Sequence, residues 1–225
     1  IFALADVVAF VAMPALAGLL IVVGWRAIKP SRIYSVIKSG LLPTTIMAVT
    51  FGLTLIIPLQ FAVLVGVGLG VILYVAEQSN SVRVRAVVIA DDGRMREADP
   101  PAVVPAGEVL VLQPYGSLFF ASAPVFERQL PDVSRESSGS VVIVRLRGTD
   151  EIGLSHVEVL RRFAAELRDA DSTLKVVATE DRVISQLDAG GLTADIGADN
   201  VYRGTEWVGE GLRRAYADAR AEIED

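Results

Sequence analysis

The sequence contains no cysteine, which excludes disulfides and thiolate chemistry and leaves no mark of redox compartment. It has one histidine, His156, which excludes a histidine-rich metal centre. No metal and no cofactor are expected. Basic residues are scarce: 21 Lys and Arg stand against 27 Asp and Glu, a formal net charge of -6. A nucleic-acid partner would call for a basic face, so none is expected. Most of the charge lies after Glu77. The motifs of common catalysts are missing too. Gly190-Gly191 is not followed by the Lys-Ser/Thr of a phosphate loop, and there is no GxSxG elbow. No nucleophile–base pair stands out, and no enzyme is expected. Position 1 is not Met, and no basic stretch precedes the first apolar residues. No signal peptide is expected at this start, and the expectation is the C-terminal piece of a longer membrane protein.

What is present is apolar length; hydrophobic residues make up 52% of the chain. From Leu41 to Ala76 there is no Asp, Glu, Lys, Arg or His. Such a run belongs in a bilayer. As one helix it would reach about 50 Å at about 1.5 Å per residue, well beyond a hydrocarbon core of about 30 Å. It must therefore break, and Pro58-Leu59-Gln60 supplies a helix-stopping residue and a polar amide. Two antiparallel membrane helices are expected, Leu42 to Ile57 and Leu59 to Ala76. Upstream, Ile1 to Gly24 is apolar apart from Asp6. Pro14 is read as ending an element at Met13 and opening a helix to Trp25. Asp6 then lies near a membrane surface, a solvated residue at a helix junction rather than a carboxylate on an ion path.

Between these helices, Arg26, Lys29, Arg32 and Lys38 have no acidic neighbour. Short basic loops stay in the cytoplasm. Ile33, Val36 and Ile37 suit a short helix lying in the interface. The hairpin then runs out and back, and Glu77 onward is cytoplasmic. On the returning helix, Gly66, Gly68 and Gly70 allow close backbone approach. Thr50 and Thr54 share a face, and bonding to their own helix carbonyls is the expected use of their hydroxyls.

Three segments are expected: membrane helices over 1–78, a linker with a short strand over 79–106, and a cytoplasmic domain over 107–225. In the linker, Val82 to Ala90 reads as a strand and Asp91-Asp92-Gly93 as a turn. Beyond it, strands at Val109–Gln113, Ser140–Leu146 and Leu174–Ala178 alternate with helices. The helix Ser155–Arg168 presents Val157, Leu160, Ala164 and Leu167 on one face. A second helix starts at Thr179-Glu180-Asp181 and stops at Gly190-Gly191. An edge strand near Val201 and a last helix from Thr205 to Ala219 follow. The fold class is thus mixed: about three transmembrane α-helices with a Pro-broken hairpin, then a small α/β domain.

The turn Gly148 to Ser155, GTDEIGLS, joins the central strand to the amphipathic helix. Backbone N–H groups at such a helix start suit an anion or a partner; a plain connection, capped by Asp150 or Ser155, is the competing reading. His156 is read as a surface residue, Phe119-Phe120 as core packing, and Trp207 as an anchor for the last helix.

The membrane hairpin, GSLFFASAPVFERQL (116–130), and SVVIVRLRGTDEIG (140–153) before a helix together resemble the C-terminus of a SulP-family anion transporter with its cytoplasmic STAS domain. The resemblance implies membership of a secondary transporter built from a core and a gate domain. The anion site lies in the core, and this chain is similar to the last three membrane helices, which belong to the gate. It carries no substrate-binding residue in this reading. The implied partners are the lipid bilayer, a second copy of the chain, and an inorganic anion of the sulfate type only where the core is present. The implied place is the plasma membrane, multi-pass, with the STAS domain regulating flux or making dimer contacts. The alternative is a membrane-tethered STAS interaction module without transport. In STAS regulators of sigma-factor pathways the corresponding turn reads Asp-Ser-Ser/Thr-Gly, and the second hydroxyl is phosphorylated. Here Asp150 and Gly153 match, Glu151 and Ile152 do not, and Ser155 is the nearest hydroxyl. The candidate regulatory turn is Asp150, Glu151, Gly153 and Ser155.

Overall fold

The computed structural model describes residues 2–90, 93–205, 207 and 209–224, with side chains from Met13 onward. The chain divides into two compact units between Leu73 and Tyr74.

The first unit is helical: α1 (Phe2–Ala27), α2 (Pro30–Lys38), α3 (Leu41–Thr54) and the start of α4 (Leu59–Ser79). Pro14 does not end a helix as expected; it lies inside α1. A lone proline removes one amide donor, and apolar helix formers on both sides carry the turn across it. The Asp6 side chain lies outside the described residues. The break between α3 and α4 does fall at Pro58, whose carbonyl accepts from Phe61 and Ala62. Among the described residues only α4 is a single helix long and apolar enough to span a bilayer. Met13–Ala27 and Pro30–Lys38 pass that test only as one span bent by 41°, and α3 is a shorter apolar helix. Among the described residues one helix, or two spans if the bent pair counts as one, passes this test of length and composition, which does not establish the expected three. Leu16, Leu19, Ile21, Leu64 and Ile72 are all exposed, an apolar surface larger than soluble monomers show. Gly66 makes a close approach: a Cβ there would lie 2.5 Å from Thr50 Oγ1. Gly68 and Gly70 face open space. The Thr54 hydroxyl donates to the Phe51 carbonyl at 2.6 Å.

The second unit is built on one six-stranded sheet. Its strands are β1 (Arg83–Ile89), β2 (Met95–Ala98), β3 (Val109–Tyr115), β4 (Val141–Leu146), β5 (Thr173–Ala178) and β6 (Val201–Arg203). The spatial order is β2-β1-β3-β4-β5-β6. β1 runs antiparallel to β2 and β3, and β3 to β6 are parallel, with Leu112 beside Val144 and Val144 beside Val176. The stretch read as a linker, 79–106, thus supplies two strands of the sheet. Only residues 80–82 separate α4 from β1. The expected turn at Asp91-Asp92-Gly93 lies partly outside the described residues; Gly93, at φ +79°, donates to the Ala90 carbonyl.

The parallel strands are buried on both faces, which is why they read as V/I/L runs. One face packs Leu112, Val142, Val144 and Val176 against α5 (Ala123–Glu127), α6 (Leu154–Asp169), α7 (Asp181–Ala189) and α8 (Leu192–Ile196). The other packs Val111, Ile143 and Val177 against Leu212, Ala215 and Ala219 of α9 (Glu210–Glu224). The α6 face is as expected, with Val157, Leu160, Ala164 and Leu167 buried. The last helix is not: α9 starts at Glu210, and Thr205 Oγ1 instead accepts from the Trp207 amide. Trp207 is 75% exposed rather than packed as an anchor. α9 is held by small residues on the sheet, by Tyr202 O–H donating to Asp218 at 2.8 Å, and by Lys175 paired with Glu222 at 2.9 Å.

Candidate functional site: the turn between β4 and α6

The turn leaves β4 through Gly148, at φ +66°, a conformation that favours glycine. Thr149 is buried and Asp150 exposed. Glu151 reaches across to Arg182 of α7, 2.9 Å away and exposed on both sides. Ile152 points into the core at 1% exposure. Its amide donates to Gln186 Oε1 at 2.8 Å. The Gly153 amide donates to the Leu118 carbonyl at 2.9 Å, and the Gly153 carbonyl accepts from His156 and Val157 as α6 begins. Leu154 and Ser155 are exposed. The turn is thus clamped by α7 on one side and the Leu118 carbonyl on the other, with Asp150, Leu154 and Ser155 outward. Ile152, at the position matching the phosphorylated hydroxyl of the sigma-factor regulators, is a core side chain.

Gly153 is required by contact rather than by backbone angle. Its φ is −67°, yet a Cβ would lie 3.3 Å from both the Leu118 carbonyl oxygen and the Phe120 amide nitrogen. Both are backbone atoms, which give way less readily than a side-chain tip. Gly153→Val is expected to cost about 1–3 kcal/mol by overpacking, read as a lowered urea midpoint for the second unit. An unchanged midpoint would mean that the 118–120 segment moves freely.

His156 corrects the reading of the sequence. It is 0% exposed. Nε2 lies 3.2 Å from Ser122 Oγ, and Nδ1 is buried without a partner. The ring rests against Phe126, with centroids 5.4 Å apart. Burial pushes its pKa down from 6.5 to about 4. The signal was available: His156, Leu160, Phe163 and Leu167 recur at helical spacing. The aromatic pair is also corrected. Phe119 and Phe120 meet edge to face, but Phe120 is 71% exposed. It projects beside the turn and is no part of the core.

Nothing in the sequence pattern singles out Arg145. It follows Val141 and Ile143 on the α9 face of β4 and is 8% exposed. Its guanidinium donates to Gln113 Oε1 on β3 at 3.1 Å. Burial and the neighbouring Arg147 lower its pKa. Among the described residues no cluster of His, Asp and Glu is placed to hold a metal.

Residues 100–206 match the family model described as the STAS domain. No curated protein matches the chain in sequence. Among solved structures, the SLC26A9 structure is 16% identical with a TM-score of 0.61, covering 86% of this chain and 33% of the other. Murine Slc26a9, described as an anion transporter in the inward-facing state, is 16% identical with a TM-score of 0.62, covering 84% and 30%. A sulfate transporter family protein from Wolinella succinogenes is 19% identical, covering 61% and 98%, with a TM-score of 0.42. The chain spans about a third of the length of the two SLC26A9 chains. At these identities the likeness is one of fold.

Proposed function

We propose, from the match of residues 100–206 to the STAS domain family, that the chain is the C-terminal part of a secondary-active inorganic anion transporter of the sulfate type. The observation that carries this reading is the extent of the fold match. It covers 86% of the chain, more than residues 100–225 could supply, so it takes in helices ahead of the STAS domain as well. Those helices expose apolar side chains, as lipid-facing or gate-type elements would. In this reading α4 and the upstream helices are gate elements in the plasma membrane. The STAS domain lies in the cytoplasm and acts on flux or on contacts with a second copy. The substrate site belongs to a core domain outside this chain. The matched structures are transporters rather than enzymes, which supports a non-catalytic role.

The test is uptake by sealed vesicles carrying the full-length product of the gene that encodes this chain. Uptake of labelled sulfate, bicarbonate or a dicarboxylate above empty vesicles is expected, with a rate altered when residues 100–225 are deleted. No uptake of any of these anions by folded protein would overturn the reading in favour of a tethered STAS module.

A further inference from the structure

Beyond the turn, the sheet has a second opening. After β5 the chain crosses to the α7 face, and after β6 it crosses to the α9 face. Neighbouring strands whose connections leave in opposite directions open a crevice at their carboxyl ends, the place where open α/β sheets take ligands. Here that crevice is a cavity of about 170 Å³, lined by Arg145, Arg147, Thr179, Gly204, Thr205 and Trp207 among others.

Its electrostatics are unbalanced. Arg145 is a guanidinium that stays charged, almost wholly buried, whose hydrogen bond goes to the neutral amide of Gln113. Among the described residues no carboxylate pairs with Arg145 or Arg147. The nearby Arg203 is taken by Asp181 at 2.8 Å. The Glu210 carboxylate is engaged with the Thr205 hydroxyl. Glu180, also on the lining, is the one acidic side chain set against the two arginines there among the described residues. A buried cation without a counter-ion is costly, and an arginine fork matches the oxygens of a sulfate, phosphate or carboxylate. Glycines at 204, 209 and 211 keep the wall low, and a Cβ at Gly211 would come within 3.2 Å of the Arg203 carbonyl.

We propose that the crevice at the carboxyl ends of β4, β5 and β6 binds a small free oxyanion, with Arg145 and Arg147 as its cationic ligands. This site borders the β4–α6 turn at Gly148 but is lined by none of Asp150, Glu151, Gly153 and Ser155, and it is independent of whether the chain transports anything. Trp207 stands on its rim and serves as a reporter. The experiment uses the whole chain in detergent with Trp25→Phe, so that Trp207 is the only tryptophan. Sodium sulfate and sodium phosphate are titrated against sodium chloride at matched ionic strength, following both Trp207 emission and the melting temperature. A saturable response to sulfate or phosphate is expected. Arg147→Gln, at an exposed position, should weaken it at least tenfold, and Arg145→Gln with Arg147→Gln should abolish it. If neither readout responds beyond chloride, the proposal fails. It also fails if Arg147→Gln leaves the midpoint unchanged, whether or not the double variant folds.

Discussion

The second unit is expected to lose about 2 kcal/mol of stability between pH 7 and pH 5 on account of His156 alone. The unfolded chain takes up a proton near pH 6.5, and the buried ring does so only near pH 4. Between these values the unfolded state binds more protons, so stability rises with pH across the window and falls as pH drops through it. Above pH 6.5 both states are neutral and the residue contributes no pH dependence. Below pH 4 the full difference applies, on the order of 3 kcal/mol at about 1.4 kcal/mol per pKa unit. The cause is desolvation. The ring sits at 0% exposure with Nδ1 unpartnered, and a proton there would place a charge with no acceptor. Urea unfolding of the whole chain in detergent, at pH 7 and pH 5, provides the check. His156→Leu should flatten the dependence, because Ser122 Oγ keeps its contacts with the Ser117 and Phe119 carbonyls. Equal losses in the parent and the variant would assign the effect to carboxylates instead.

Leu160→Ala is expected to remove about 2–5 kcal/mol, much of the margin of a typical domain. Leu160 is 0% exposed within the core shared by α6 and the β4–β5 strands. Its loss would leave a cavity beneath the helix that begins at the candidate turn. Leu154→Ala on the same helix is the internal comparison. That side chain is 65% exposed, and a surface change of this kind stays within about 0.5 kcal/mol. A shifted urea midpoint with an unchanged slope for Leu160→Ala, and no shift for Leu154→Ala, is the expected pair of results. Comparable shifts in both would mean that α6 frays rather than packs as a unit.

Much of the architecture was legible because its signals are periodic or compositional. The break at Pro58, the strand at 141–146 and the buried face of α6 follow from hydropathy and spacing, and a tertiary context that agrees with them leaves them in place. The departures have physical causes. β2 reads Met-Arg-Glu-Ala, a short exposed strand with no apolar alternation, and only its hairpin partner makes it a strand. Thr205 has the residue type of a helix cap, but α9 begins only at Glu210 and the Thr205 hydroxyl oxygen accepts from the Trp207 amide instead. General preference puts a polar His156 outward and an aromatic Trp207 inward, and each does the reverse. At the candidate turn, Asp150 and Ser155 are outward as a recognition residue would be, while the clamps by Gln186 and Leu118 are long-range contacts that no local pattern encodes. Arg145 is hidden inside an apolar strand, and that no carboxylate pairs with it among the described residues is visible only in three dimensions.

The two ends of the sheet have a consequence for how copies of this protein can meet. β2 has four residues, including Arg96 and Glu97, and β6 has three. A strand edge this short offers few unsatisfied amides to an incoming chain, and charge on it discourages flat stacking. Crowded copies are therefore protected against runaway polymerisation through their backbones. Backbone pairing through these two edges is limited to three or four residues, so a lasting contact made there would draw on side chains, where single substitutions can strengthen or weaken it.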